Sequence, residues 1–360
     1  MPRSPNRPSS ASATVTIRDV AATAGVSVAT VSRVFNGKGP IREETIQRVR
    51  EVAAAMHYVP HAGARSLSTR TTRTIGLLLP DLHGEFFSEV IRGVDVAARV
   101  RGYHLLVSGS HSDAEEMSAM LNALRGRVDG LIIMSPDLGL GPISRALAAD
   151  TPVILLNTAA SGKRTIRIDN YAGAREMTAH LIEQGHRRIA FITGPERNVD
   201  AAERRRGYRD AMDAIDGERI EIDGDFTEDS GYRAVPEVLA IDARPTAIFA
   251  ANDAMAIGAL RALREAHVPV PERMSLAGFD DVPIARYLTP PLTTVRVDIA
   301  EMGRRAVDHL VKTLTQSADT SKKHDLIATT LVVRESCGAQ VATERNKTLT
   351  TGLVDKEGIQ

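Results

Sequence analysis

Thr16–Asn36 reads TIRDVAATAGVSVATVSRVFN, a spacing that predicts two short helices joined by a tight turn. Thr16 stands where a hydroxyl caps the first helix, and Asp19 holds the third helical position, from which a carboxylate reaches back to free N–H groups. Ala21, Ala22 and Ala24 keep that helix slim, and Gly25 supplies the turn. Ser27 caps the second helix, whose Val31 and Val34 recur at helical spacing and face inward. Val28, Ala29, Thr30, Ser32, Arg33 and Asn36 are left on the outer face or at its start. Small, polar and basic groups in that arrangement suit a helix whose first residues meet base edges in the major groove of duplex DNA. A helical hairpin of no such function has similar spacing, so the pattern needs support from the rest of the chain.

Charge gives that support. Formal net charge is zero, but residues 1–75 carry eleven Lys/Arg against four Asp/Glu, a balance of +7 that leaves −7 for the remainder. A basic head on an acidic body suits a nucleic-acid partner at one end only. No apolar run approaches a membrane span, and the start, MPRSPNRPSSASA, lacks the apolar stretch of a secretory signal, so a cytoplasmic protein is expected. Cys337 is alone, which excludes an internal disulfide and a cysteine-based metal cluster; it reads as a bystander thiol.

With 360 residues there is room for two or three domains. Residues 1–13 read as a disordered Pro/Ser-rich tail and residues 14–60 as the helical head. A third head helix is expected over about Arg42–Met56, with Ile46, Val49, Val52, Ala53 and Met56 inward and Glu43 and Glu44 at its positive end. Residues 61–73 form a linker, and from residue 74 the texture changes. Runs IGLLLP (75–80), HLLVSG (104–109), GLIIMS (130–135), PVILLN (152–157), IAFITG (189–194), AIFAAN (247–252) and SLAGFD (275–280) alternate with amphipathic helical patterns. Such runs imply parallel sheets covered on both faces, and their number fits two doubly wound lobes with a cleft between them over residues 74–335. Ligands gather at the carboxyl ends of the strands in such sheets. Residues 336–360 read as a second disordered tail.

The string DVAATAGVSVATVSRVFNG (19–37) resembles the head of the lactose/galactose repressor (LacI/GalR) family of bacterial transcriptional regulators. The resemblance continues in order through DLHGEFFSEVIRGV (81–94), VDGLII (128–133), LIEQGHRRIAFITGP (181–195), AANDAMAIGAL (250–260), SLAGFDD (275–281) and LTPPLTTVR (288–296), so it spans nearly all of residues 14–335. It implies a helix-turn-helix head and a hinge helix, followed by a core of two parallel-sheet lobes like a periplasmic binding protein. It also implies a homodimer on a pseudo-palindromic DNA operator, with a small-molecule effector between the lobes. The DNA-facing set is then Thr16, Ser27, Val28, Ala29, Thr30, Ser32, Arg33, Asn36 and Arg42, with Ala64 and Leu67 in the hinge. Thr30, Ser32, Asn36 and Arg42 position the head on phosphates, while Val28, Ala29 and Arg33 specify bases. In the family the hinge folds only on the operator, and one leucine per subunit wedges the central base step; Leu67 holds that place here.

Three positions depart from the pattern. Arg42 stands where the family usually has a capping Ser; His61 replaces a frequent Asn, and Gly63 a Val or Ala. Glycine costs a helix about 1 kcal/mol relative to Ala, so a hinge less formed off DNA than in relatives is expected. His57 and His61 have i, i+4 metal spacing, but Pro60 between them argues against one continuous helix, and no metal or cofactor is expected.

On the effector side the resemblance points to Phe86 and Phe87 after the first core strand, one of them expected to be core packing, and to Arg204, Asn252 and Asp280; Asp169 and Phe226 are weaker candidates. Asn252 reads equally as a helix cap. An Arg and an Asp at strand ends orient hydroxyl-rich ligands. The absence of Trp removes a stacking residue expected of a purine site and favours a sugar or sugar derivative, with a purine-responsive regulator as the alternative. An enzyme on the same scaffold lacks its chemistry: there is no P-loop, H-E-x-x-H or G-x-S-x-G, and Gly139-Leu140-Gly141 lacks the third glycine of a dinucleotide fingerprint. A transport solute-binding protein shares the lobes but not the basic head. The C-terminal tail has no leucine heptad of the kind that joins dimers into tetramers, so a dimer is expected.

Overall fold

The computed structural model describes residues 15–36, 39–59, 71–137, 141–146, 151–158, 164–315 and 324–338. The chain forms two compact units, Met1–Thr72 and Arg73–Gln360.

The first unit holds α1 (Ile17–Ala24), α2 (Val28–Asn36) and α3 (Glu43–Ala55). Gly25 ends α1 in the left-handed conformation at φ 64°, which turns the chain into α2 within three residues. The three helices close on one small core: Val20 and Ala21 from α1, Val31 and Val34 from α2, Val49 and Ala53 from α3. Phe35 lies edge-on to Tyr58 with ring centroids 5.9 Å apart, closing the open end. Arg42 precedes α3 in extended conformation and makes no side-chain cap, as its chemistry requires.

The second unit contains two parallel sheets. The first lobe is a six-stranded sheet in the order β11-β5-β4-β3-β1-β2, built from β1 (Thr74–Leu79), β2 (His104–Gly109), β3 (Gly130–Met134), β4 (Val153–Leu156), β5 (Arg164–Ile168) and β11 (His324–Ile327). Helices α4 (Glu85–Val100) and α11 (Ile299–Thr315) pack on each other; their Val90, Val94, Ala306 and Leu310 join the larger core. Met117, Leu121 and Leu124 of α5 (Ala114–Leu124) and Ile143 of α6 (Gly141–Ala146) form a smaller core with alternate strand residues such as Leu131, Ile133 and Leu155. The second lobe is a four-stranded sheet, β7-β6-β8-β9, from β6 (Ile189–Ile192), β7 (Ile220–Ile222), β8 (Ala247–Ala250) and β9 (Ser275–Ala277). Its helices are α7 (Asn170–Glu183), α8 (Val199–Asp213), α9 (Glu228–Ala240) and α10 (Asp253–Glu265). Helices α9 and α10 approach so closely that a Cβ on Gly231 or Gly258 would lie 2.0 Å or 1.8 Å from a backbone oxygen of the other.

The chain passes between lobes three times. Ile168–Asn170 leads from β5 into α7, and the antiparallel pair β10 (Thr294–Val297) and β12 (Thr329–Val332) supplies the other two passages. All seven apolar runs are strands, and β5, β7, β10, β11 and β12 are five further strands outside those runs. Each of these five is short and interrupted by polar residues, as in Arg164-Thr165-Ile166-Arg167-Ile168; β7 and β11 are sheet edges, β5 lies between β11 and β4, and β10 and β12 form the crossing.

One domain boundary needs correction. Ser336 and Cys337, assigned above to a disordered tail, are fully buried. Ser336 Oγ donates to Leu276 O at 2.6 Å and accepts from Thr293 N at 2.8 Å, so the ordered core runs on through Gly338. Two hydroxyl hydrogen bonds to strand backbone are invisible to a reading based on apolar periodicity. At the other end Arg73 N is already bonded to Asp129 Oδ2 at 2.9 Å.

Candidate functional site

In the head, Asp19 accepts hydrogen bonds from Thr16 N at 2.8 Å and Thr16 Oγ1 at 2.7 Å, and these bonds hold its carboxyl below the ordinary carboxylate range. Ser27 Oγ accepts from Thr30 N at 3.1 Å and lies 2.9 Å from Thr30 Oγ1, so the start of α2 is capped as its sequence implies. Asn36 Nδ2 donates to Ser32 Oγ one turn back at 3.2 Å. With Val31 and Val34 buried, Val28 (42% exposed), Ala29 and Arg33 stand in solvent on one side of α2. Two apolar side chains and a guanidinium thus share the exposed side of α2. Ala64 and Leu67 lie outside the described residues.

The core's polar residues converge where the carboxyl ends of both sheets meet. Arg204, 3% exposed on α8, is the centre. Its Nε donates to Asn170 Oδ1 at 2.8 Å, Nη1 to Ala251 O at 2.5 Å and Nη2 to Asp280 Oδ1 at 3.0 Å. Its guanidinium lies 3.8 Å from the Phe279 ring centroid and 5.7 Å from that of Phe226. Asn170 Nδ2 passes the network to Asp200 Oδ1 at 2.8 Å. Burial pushes the Asp200 carboxyl up to about 7, against the pull of Arg204 and Arg167. Burial likewise raises Asp280 to about 6, with Arg204 restraining it, and lifts Asp253 well above the ordinary value, helped by the charge of Asp280.

The lobes touch through side chains nobody would select from the sequence as a pair. Asn198 caps α8 with its Oδ1 and donates from Nδ2 to Asp137 Oδ1 across the cleft at 2.9 Å, while Ser112 Oγ holds Asp137 Oδ2 at 3.0 Å. On the first lobe, Ser135, Asn157 and Arg167 fall in one row across β3, β4 and β5. Their Ser135 Oγ, Asn157 Oδ1 and Arg167 Nε atoms are buried and have no hydrogen-bond partner among the described residues.

Of the sequence candidates, Arg204, Asp280 and Phe226 are brought together. Asn252 caps α10 through Met255 N at 2.9 Å and donates to Phe226 O at 3.0 Å, so both ends of its amide serve the chain. Asp169 caps α7 through Ala172 N at 3.2 Å. Phe86 and Phe87 are half-buried, pack on the core and meet edge to face at 5.5 Å. Sequence reasoning missed Asn170, Asp200, Asn198, Asp137 and Phe279. The strand-end rule would have flagged Asp137 and Asn170, each just past the end of a strand; the stacking of Arg204 on Phe279 has no local signal.

A three-helix DNA-reading head on a two-lobed core with a polar cleft is the architecture of a ligand-responsive regulator. Residues 16–61 match the model of bacterial regulatory proteins of the lacI family, and residues 178–337 match the periplasmic binding protein-like domain. The chain is 36% identical over 344 residues to the HTH-type transcriptional regulator GalS of Salmonella typhimurium, covering 94% of this chain and 99% of that one. It is 36% identical over 312 residues to the ribose operon repressor of Escherichia coli K12, covering 84% and 93%. The lac repressor dimer bound to operator and the anti-inducer ONPF superposes with TM-score 0.82 at 30% identity, over 90% of this chain and 99% of that one. The chain belongs to the LacI family and is a DNA-binding transcriptional regulator. These relatives are regulators rather than enzymes, and no described helix is long and apolar enough to cross a membrane.

Proposed function

We propose that the protein is a homodimeric cytoplasmic repressor whose operator affinity is set by a sugar or sugar derivative held between the core lobes. The observation that carries the ligand class is the chemistry of the cleft. One wall offers Arg204, Asp280, Asn170 and Asp200 in a connected network, and the other offers Ser135 Oγ, Asn157 Oδ1 and Arg167 Nε, which have no partner among the described residues. Buried polar atoms without partners are costly, and this mixture of donors and acceptors matches hydroxyl groups, which do both. The Phe226 ring beside Arg204 offers an apolar face to a sugar ring. Phe86 or Phe87, Asp169 and Asn252 border this site in the reading by resemblance.

In the head, Thr30, Ser32, Asn36 and Arg42 position the docking on phosphates, Val28, Ala29 and Arg33 read bases, and Thr16 and Ser27, which cap α1 and α2, complete the DNA-facing set. Leu67, with Ala64 beside it, is assigned the wedge at the operator centre. Two heads need half-sites of a pseudo-palindrome, so the dimer is the working unit. The effector acts through unequal affinity for two arrangements of the lobes, which shifts the population competent for DNA. The test is selection of a randomised duplex pool by the full-length chain, repeated with a panel of sugars and nucleobases. A pseudo-palindrome with a central CG step, whose recovery changes with one sugar, is expected. Absence of enrichment under every condition refutes DNA reading, and a response to nucleobases alone refutes the sugar.

A further inference from the structure

The residue after Asp280 has a different set of partners. The Asp281 side chain is only 3% exposed and takes two guanidinium groups: Arg296 Nε at 2.7 Å on Oδ2 and Arg334 Nη2 at 2.5 Å on Oδ1. Arg296 belongs to β10 and Arg334 lies two residues past β12, the two strands that together carry the chain between lobes. Backbone bonds reinforce the link. Asp280 N donates to Val295 O at 2.8 Å, and Arg334 N donates to Thr293 Oγ1 at 2.9 Å. Arg334 Nη1 also reaches Leu292 O at 2.6 Å. Asp280 and Asp281 hold φ of 110° and 53° in succession, a strained pair for residues with side chains that persists only when the surroundings over-determine it.

We propose that Asp281 is a positioning residue, clamped by Arg296 and Arg334, that ties the Asp280 turn in the cleft to both crossing strands. Any change in the angle between lobes twists β10 against β12 and moves the two guanidinium groups relative to each other. The carboxylate between them, and with it the turn that presents Asp280 to Arg204, then moves as well. Reciprocally, a ligand that pulls on Asp280 biases the crossing. The clamp rests on the reading of the cleft as the effector site and supplies what that reading lacks, a physical connection from the ligand's partner to the lobe angle. A surface ion pair on a single element has no such consequence, because its two partners move together.

The test uses the full chain carrying Glu115→Cys on α5 and Glu237→Cys on α9, both exposed positions on opposite lobes, with spin labels; native Cys337 is fully buried. Asp281→Asn and Arg334→Gln are expected to broaden the inter-lobe distance distribution in the absence of any sugar, and Arg334→Lys to narrow it again. Titration with D-ribose and D-galactose is expected to show affinity reduced about fivefold or more in the two broadened variants. A lowered melting temperature with an unchanged distance distribution overturns the clamp. A broadened distribution in a chain whose wild type binds neither sugar upholds the clamp and counts against the sugar reading instead. Should Asp281→Asn fail to fold, Arg334→Gln and Arg296→Gln carry the same measurement, each leaving one arm of the fork in place.

Discussion

Asp200→Asn isolates the electrostatic cost carried by the cleft. Asp200 is 7% exposed at the start of α8, and burial lifts its carboxyl from the ordinary 3.8 to about 7. The folded chain therefore holds this proton more tightly than the unfolded chain does. At a pH below the unfolded value, both states are protonated and the group contributes no difference. As pH rises through the interval between 3.8 and about 7, the unfolded chain ionises first and stability is lost; above about 7 the full loss stands. At about 1.4 kcal/mol per pH unit, the wild-type chain loses on the order of 3 kcal/mol from this group between pH 5 and pH 7. Asn cannot ionise, and its Oδ1 still accepts the Asn170 amide that Asp200 takes at 2.8 Å. The variant's stability relative to wild type should therefore be about 3 kcal/mol more favourable at pH 8 than at pH 5. Urea unfolding of both proteins at the two pH values, followed by circular dichroism, measures it. Asp280 and Asp253 are present in both proteins and drop out of the difference to first order. A difference between variant and wild type that is the same at both pH values, or that favours the variant more in acid, would refute the assignment of a raised carboxyl to Asp200.

Arg33→Ala should relax base preference at one operator position by about 1–3 kcal/mol, read by competition among single-base operator variants; equal loss on all sequences would make Arg33 a phosphate contact. Val31→Ala, at a fully buried position in a small core, should cost the head about 2 kcal/mol and weaken DNA binding while the thermal transition of the core stays in place. Gly258→Ala should destabilise the second lobe by about 1–3 kcal/mol or more, because its Cβ would lie 1.8 Å from Glu228 O and force α9 off α10; an unchanged melting temperature would contradict that packing.

The head was legible because its information is local. Thr16 with Asp19, Gly25 and Ser27 act within three residues of themselves, and Val31 and Val34 follow helical spacing, so caps, turn and buried face can all be read off one short string. The interior strands β1, β3, β4, β6 and β8 were legible for a related reason: a strand covered on both faces must be apolar throughout, and GLIIM or AIFA has no other reading in this alternation. The edge strands β2 and β9 still carry an apolar run, whereas β5, β7, β11 and the crossing pair β10 and β12 escaped because polar residues interrupt them. RTIRI and TTLV carry no pattern that separates them from loop.

The cleft divides along the same line. Sequence, through resemblance, singled out Arg204 and Asp280 as candidates, but not that they bond each other, since 76 residues separate them. Only the tertiary structure decided that Arg204 lies on Phe279, that Asn170 joins it to Asp200, and that Asn198 reaches Asp137 in the other lobe. It also decided that Arg296 and Arg334 meet on Asp281. Hydrophobic periodicity and capping act over one or two turns of chain and leave a record in sequence order. A hydrogen bond between strand ends depends on which strands the crossings bring together, and that is set only when the two lobes are closed around their connections.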